Sequence, residues 1–322
     1  MPEFFLTGLE NLGNTCYMNS VIQGLFATKE FREYITETKS NKKLHSSLSQ
    51  LFKDMIKVGQ KSDSNCLSPL QFRDVFGKIR PDFNDKDQHD SQEFLRLLID
   101  GLHQEVNEAK GRKPAKYEQP KSAKDAWISY RQYMDDSFLV SLFVGQMRST
   151  IRCTECDHRS HCWDSFWEIS LSIPEKETEL NVKELYQDYF KDEELVGDSM
   201  PTCAKCKTKR KSIKSSQIKR CPLILTLSLK RFGNDGKKVS KSVYVNKSLI
   251  INTIPYFLYA CVCHKDGVGF NGWYGHYSIY CRYTSSNWYH FDDNNVDVVE
   301  DWDPENDAYI LFYHMKDTTI SY

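Results

Sequence analysis

The chain has 322 residues, a formal net charge of −1 and 13% aromatic residues, enough length and apolar content to bury a large core and too many aromatics for a disordered chain. A near-zero balance of charge gives no global field toward nucleic acid or a membrane surface. No run of about 18 apolar residues marks a membrane span, and the opening MPEFFLTG lacks the basic and apolar regions of a secretory signal, so no membrane insertion is expected.

Eleven cysteines, an odd number without a secretory signal, point to free thiols and metal ligands in a reducing compartment, an intracellular protein of cytoplasm and/or nucleus. The first of them, Cys16, follows the loop-forming run Asn11-Leu12-Gly13-Asn14-Thr15 and precedes apolar residues at 18, 21, 22, 25 and 26. That is helical spacing, with Asn14 or Thr15 as the cap. Cys16 then lies in the first helical turn, where the dipole favours thiolate, the nucleophilic form. Taken alone, a buried structural cysteine is the better explanation of Cys16.

Helical periodicity continues at 44–58 and 90–106, with Pro69 placed at a helix N1 position between them. Residues 109–124, rich in Lys and Pro, read as a surface loop. From 138 onward, runs rich in β-branched and aromatic residues read as strands: 138–153, 162–174, LILTLSLKRF, YFLYACVCH, HYSIYCRY, WYHFDD and DAYILFYHM. VKELYQDYF (182–190) interrupts them as a helix. Helices first and strands later predict an α+β fold.

Two constellations carry chemistry. Cys153-x-x-Cys156 and Cys203-x-x-Cys206 are paired thiols suited to tetrahedral Zn²⁺, each pair on its own tight turn at neighbouring hairpins. A closed structural zinc, one per chain, fits this spacing better than a redox pair. Cys162, Cys261 and Cys263 read as strand or core cysteines. The second constellation is a hairpin, with His276 opening its outgoing strand and Asp292 closing its return strand. The hairpin brings base and carboxylate to the same end of the sheet, the orienting half of a Cys–His–Asp arrangement. The run 205–220 carries eight Lys/Arg and no acid, and reads as a solvated face rather than a nucleic-acid site, since it lacks stacking aromatics.

GLENLGNTCYMNSVIQ resembles the cysteine box of the ubiquitin-specific proteases, and GHYSIYCRY…WYHFDDNNV with AYILFYHM resembles their histidine box. QHDSQEFLRLLIDGLH, the paired cysteines and LILTLSLKRF match intermediate blocks in the same order, from about Thr7 to Tyr313. The resemblance is to the members that keep all four zinc cysteines. It implies a papain-like hydrolase, one catalytic domain over 1–322. Its helical thumb would span about 1–125, zinc-bearing fingers with part of the palm 138–235, and the palm 236–322. It further implies Cys16 as nucleophile, His276 as base, Asp292 as orienting acid, Asn11 as oxyanion donor and Asp293 as a second acidic position. Asp90 falls where the family places an acid that pairs with an arginine of the ubiquitin tail, although a helix N-cap explains the same residue. Tyr277 is expected to line the slot for the glycine tail, or else to be ordinary strand core. The implied partner is ubiquitin on conjugated proteins, with the enzyme a monomer. One departure stands out: Tyr274 replaces the first Gly of the family's Gly-Gly-His-Tyr. With Trp273, it raises a second reading, a ubiquitin-binding scaffold gated shut by aromatic residues.

Overall fold

The computed structural model describes residues 6–60, 66–113, 119–175, 179–233, 238–266, 275–283, 287–300, 302 and 307–316. The Trp273-Tyr274 gate lies outside the described residues, as does most of the hairpin turn at 284–287.

The first part of the chain is helical: α1 (Cys16–Ala27), α2 (Lys29–Glu37), α3 (Lys43–Gly59), α4 (Leu70–Ile79) and α5 (Ser91–Val106). Short strands β1 (Gly8–Leu9) and β2 (Cys66–Leu67) pair in parallel beside them. α1 is buried from Cys16 to Phe26, which makes it a central rather than a surface helix. Gly24 lets it lie close to the sheet, since a Cβ there would stand 3.0 Å from Ile279 and 3.2 Å from Phe312.

Two further helices were not legible as such. α6 (Ala123–Tyr133) begins inside the segment expected to be loop, capped by Ser122, whose Oγ accepts from the Asp125 N–H. α7 (Phe138–Phe143) replaces the first part of the strand expected over 138–153. There the Ser137 hydroxyl caps the Val140 N–H, and Leu139, Val140, Leu142 and Phe143 bury around the turn, so packing overrides strand propensity. α8 (Val182–Tyr189) forms as expected.

The strands make two larger sheets. β3 (Gly145–Cys153), β4 (Arg159–Phe166), β6 (Glu193–Leu195) and β7 (Ser212–Arg220) form a four-stranded antiparallel sheet in the order β4-β3-β7-β6. The larger sheet takes β5 (Ile169–Leu171), β8 (Ile224–Leu229), β9 (Ser248–Ile251), β10 (Ile254–Asp266), β11 (Gly275–Arg282), β12 (Trp288–Asp292), β13 (Asn295–Val299) and β14 (Ala308–Met315). Its order is β13-β12-β11-β10-β14-β8-β5, with β9 on β10. One face packs on α1 and the surrounding helices through Ile279, Phe291 and Phe312. The other buries Leu227, Tyr256 and Tyr313 with Leu185 of α8. The fold is α+β, with the start of α1 brought to the same end as the start of β11 and the end of β12.

Candidate active site

The loop before α1 turns on two left-handed residues, Gly13 (φ 93°) and Asn14 (φ 57°). Thr15 is the cap residue by position, but its hydroxyl accepts from the Leu12 N–H and so braces the loop instead of the helix. Asn11 Oδ1 accepts from the Gly13 and Thr15 N–H groups at 3.0 and 3.1 Å, closing the same turn. Cys16 follows at the helix start, 4% exposed.

His276 has the Cys16 thiol as an interacting neighbour on one side and Asp292 on the other, with Nε2 to Oδ1 at 2.5 Å. Because Nε2 is occupied by Asp292, Nδ1 is the nitrogen left for the thiol. The Cys16 contact, followed by that of Asp292, lifts the imidazole to about 9 against the opposing effect of burial. The register explains the meeting: β11 pairs with β12 with Ile279 opposite Phe291, so His276 and Asp292 end the two strands on one side.

Asp293, at φ 50°, turns back toward the loop. Its carboxylate accepts from Asn11 Nδ2 at 2.7 Å and from Asn19 Nδ2 of α1 at 2.8 Å, and its carbonyl accepts from the Leu9 N–H. One residue thus ties the loop, the helix and the hairpin together. A primary amide has two N–H donors, so Asn11 keeps one beyond the bond to Asp293.

Asp90 fulfils both sequence readings in geometry. Oδ1 caps α5, accepting from the Gln92 and Glu93 N–H groups at 2.7 and 3.0 Å. Oδ2 accepts from Tyr309 Oη at 2.7 Å and Tyr277 Oη at 3.5 Å. Burial and the adjacent Asp90 push both phenols far above their ordinary range, which keeps them neutral donors. Tyr309 was not singled out in the sequence. Its pairing with β10 skips from Ile310 to Ala308, and this local break in register frees it to point at Asp90. Beyond Asp90, α5, Trp167, Glu168 and Thr226 border a cavity of about 440 Å³. Gln92 Nε2 bridges it to Glu168 at 2.7 Å.

A serine–histidine–aspartate contact away from Cys16 serves the fold. His103 joins Ser137 and Asp135 at 2.8 and 2.9 Å, but that serine caps α7 and is buried.

The four cysteines at 153, 156, 203 and 206 have their sulfur atoms within 4.8 Å of one another. The two turns are built alike. The N–H groups of Asp157 and Lys207 bond the Cys153 and Cys203 carbonyls, and both residues are left-handed, at φ 55° and 60°. Cys156 and Cys203 are 3.6 Å apart, and a tetrahedral site with Zn–S bonds of 2.3 Å has sulfur atoms about 3.8 Å apart. The Cys206 N–H donates to Cys203 Sγ, chief among the contacts that lower that thiol to about 6, while the hydrogen bond to Cys156 raises Cys206 to about 12. The donor set and spacing fit a structural zinc.

The sequence profile described as "Ubiquitin carboxyl-terminal hydrolase" matches residues 7–313. This chain belongs to that family. It is 34% identical to ubiquitin carboxyl-terminal hydrolase 2 of Homo sapiens, the match covering 96% of this chain and 55% of that protein. It is 32% identical to ubiquitin carboxyl-terminal hydrolase 21 of Rattus norvegicus, over 96% of this chain and 61% of that protein. The chain therefore spans a little over half the length of the curated relatives it matches. Its fold is similar to a chain of the SAGA Ubp8/Sgf11/Sus1/Sgf73 DUB module solved with ubiquitin aldehyde. The TM-score is 0.73 at 22% identity, covering 98% of this chain and 70% of that one. As a member of the ubiquitin carboxyl-terminal hydrolase family, the chain shares an α+β fold with a solved deubiquitinase module.

Proposed function

We propose that the chain is a deubiquitinating thiol hydrolase that cleaves the peptide or isopeptide bond after the C-terminal glycine of ubiquitin. The observation that carries this reading is the line Cys16–His276–Asp292, with Asn11 beside it. An imidazole raised to about 9, with Cys16 as the largest cause, is held as imidazolium at neutral pH, the cation that favours a thiolate beside it. The thiolate attacks the glycine carbonyl carbon. The oxyanion that forms takes hydrogen bonds from the free Asn11 Nδ2–H and the Cys16 N–H. His276 then gives its proton to the leaving lysine amine, and a thioester to Cys16 remains. Water, deprotonated by His276, attacks the thioester and releases ubiquitin with a free carboxylate. Asp292 holds the ring throughout, and Asp293 holds Asn11.

In this reading α1–α5 act as thumb, the larger sheet as palm and the four-stranded sheet as fingers stiffened by zinc on Cys153, Cys156, Cys203 and Cys206. Zinc there supplies folding energy to the paired turns and takes no part in the reaction. The tail reaches Cys16 along the wall formed by Asp90 and Tyr277. A thiol nucleophile and zinc-ligating cysteines suit the reducing cytoplasm or nucleus, and the enzyme acts as a monomer on ubiquitinated proteins. Hydrolysis of ubiquitin carrying a C-terminal fluorogenic amide tests the proposal. The wild type should turn it over, and Cys16→Ala should bind ubiquitin without cleaving it. Substantial cleavage by purified Cys16→Ala would overturn the assignment.

A further inference from the structure

Asp292 and Asp293 stand on one tight turn, and the first strand of the chain bears on it. β12 and β13 pair through Asp292 and Asn295, so Asp293 and Asn294 are the two residues of the hairpin turn. Asp293 takes φ 50°, and a residue other than glycine stays in that region where its surroundings hold it. The Leu9 N–H donates to the Asp293 carbonyl at 2.8 Å, and the Asp293 carboxylate accepts from Asn11 and Asn19. All three donors lie between β1 and the start of α1.

Gly8 comes closer still. A Cβ at this position would stand 2.4, 2.7 and 2.9 Å from the carbonyl oxygen, carbonyl carbon and Cα of Asn294. These are backbone atoms, which no change of rotamer moves aside. Ordinary contact begins near 3.4 Å, so with a Cβ at Gly8 either the strand or the turn gives way by about 1 Å.

The strand is the better anchored of the two. Thr7 and Leu9 are fully buried. Thr7 Oγ1 donates to the Met55 carbonyl of α3 at 2.8 Å, and Gln23 Nε2 of α1 donates to the Thr7 carbonyl at 2.7 Å. The Glu10 N–H donates to the Leu67 carbonyl of β2 at 3.0 Å, and Asn19 Nδ2 also faces the Leu9 and Glu10 carbonyls at 3.3 and 3.2 Å. Asn294 is exposed by contrast. β1 is therefore fixed to the helix that carries Cys16, and the turn is the part that yields.

We propose that β1 is the spacer that sets Asp292 and Asp293 against Cys16 and His276, with Gly8 as its positioning residue, an inference that rests on the proposed activity. A turn displaced by about 1 Å takes the bonds from Asp292 to His276 and from Asp293 to Asn11 out of range together. Gly8 touches neither substrate nor reacting atoms and acts through the turn alone.

The test places Gly8→Ala in the full chain and reads three quantities: steady-state hydrolysis of the fluorogenic ubiquitin amide, thermal unfolding by circular dichroism, and the His276 titration by NMR. A misplacement of this size should lower kcat by ~10- to 100-fold. KM should be kept, because the Asp90–Tyr277 wall is not touched by β1. The His276 titration should fall from about 9, since Asp292 follows Cys16 among the groups that raise it. Thr7→Ala, which loosens β1 without adding an atom, should do both more weakly, and it carries the test where Gly8→Ala does not fold. Ser137→Ala, which uncaps α7, supplies the comparison for simple loss of stability, with Tm lowered and both kcat and the His276 titration kept. Gly8→Ala protein that loses only Tm, as Ser137→Ala does, overturns the spacer, as does a raised KM with kcat kept; where Thr7→Ala alone folds, the same results there overturn it. Wild-type protein that titrates near 9 at His276 and does not cleave ubiquitin removes the proposed activity instead, because the shift of His276 with Gly8→Ala is read without substrate.

Discussion

Replacing Asp90 by asparagine and by alanine separates holding the fold from reading the substrate. The carboxylate makes two bonds to the start of α5 through Oδ1 and two to tyrosine hydroxyls through Oδ2. Alanine removes all four. Loss of an N-cap costs about 1 kcal/mol, and the buried Tyr309 hydroxyl left without an acceptor costs about 1–3 kcal/mol more. The alanine variant should therefore lose ~2–4 kcal/mol and several degrees in Tm. Asparagine keeps an oxygen for the cap and loses the negative charge, so its Tm should fall by less. A charge-assisted bond to an arginine of the ubiquitin tail is worth ~1.5–3 kcal/mol, or roughly ten- to a hundredfold in KM. The assay is steady-state hydrolysis of the fluorogenic ubiquitin amide by both variants, with thermal unfolding followed by circular dichroism. Both should show the raised KM with kcat largely kept, while only alanine shows the larger fall in Tm. An asparagine variant with wild-type kcat/KM would refute tail recognition and leave Asp90 as a helix cap held by two tyrosines.

The raised His276 predicts the alkaline limb of the reaction. Its proton is retained below the ordinary histidine value and lost as pH rises through about 9, so kcat/KM should fall there, and an imidazole titration near 6.5 in the active protein would contradict this. Since the Cys16 contact is the largest cause of the shift, Cys16→Ala should move the His276 titration downward by NMR; an unmoved value would mean that the thiol and ring do not interact. Asp293→Ala should lower kcat more than it raises KM, by up to about 10²-fold, because Asn11 loses its anchor while the tail wall is untouched; a pure KM effect would refute that role. Freshly purified protein should hold one zinc, and Cys203→Ser should lose it and lower Tm; unaltered metal content in that variant would defeat the assignment.

Local periodicity made much of this molecule readable. The apolar spacing after Cys16 repeats every three to four residues, and the helix forms there because the whole stripe is buried. The Cys-x-x-Cys spacing sufficed to place the two cysteine turns, since each turn is closed by its own backbone bonds. What escaped depended on partners distant in the chain. The hydrophobic run at 138–143 has strand composition, yet it coils because Ser137 caps it and other helices cover it. α6 is capped by Ser122, three residues before Asp125, but the Lys and Pro ahead of it give the segment the composition of a loop. Tyr309 could not have been found from spacing, because its aim comes from a register break between β10 and β14. The family resemblance named Asp293 as an acidic position, but that it grips both Asn11 and Asn19 is a fact of tertiary geometry.

The place of β14 in the larger sheet bears on how the protein is made. β14 lies between β10 and β8, and both of these precede it in the chain. While a ribosome adds residues at about 5–20 per second, the nascent sheet waits on the order of ten seconds after β8 emerges with its middle strand missing. Two apolar strands then present open edges to other nascent chains, the situation in which edge-to-edge association begins. The same strand carries Tyr309, which steadies Asp90. A nascent chain is thus most exposed to association in the interval before β14 is made, and the hydrogen bond from Tyr309 to Asp90 forms in the step that closes the sheet.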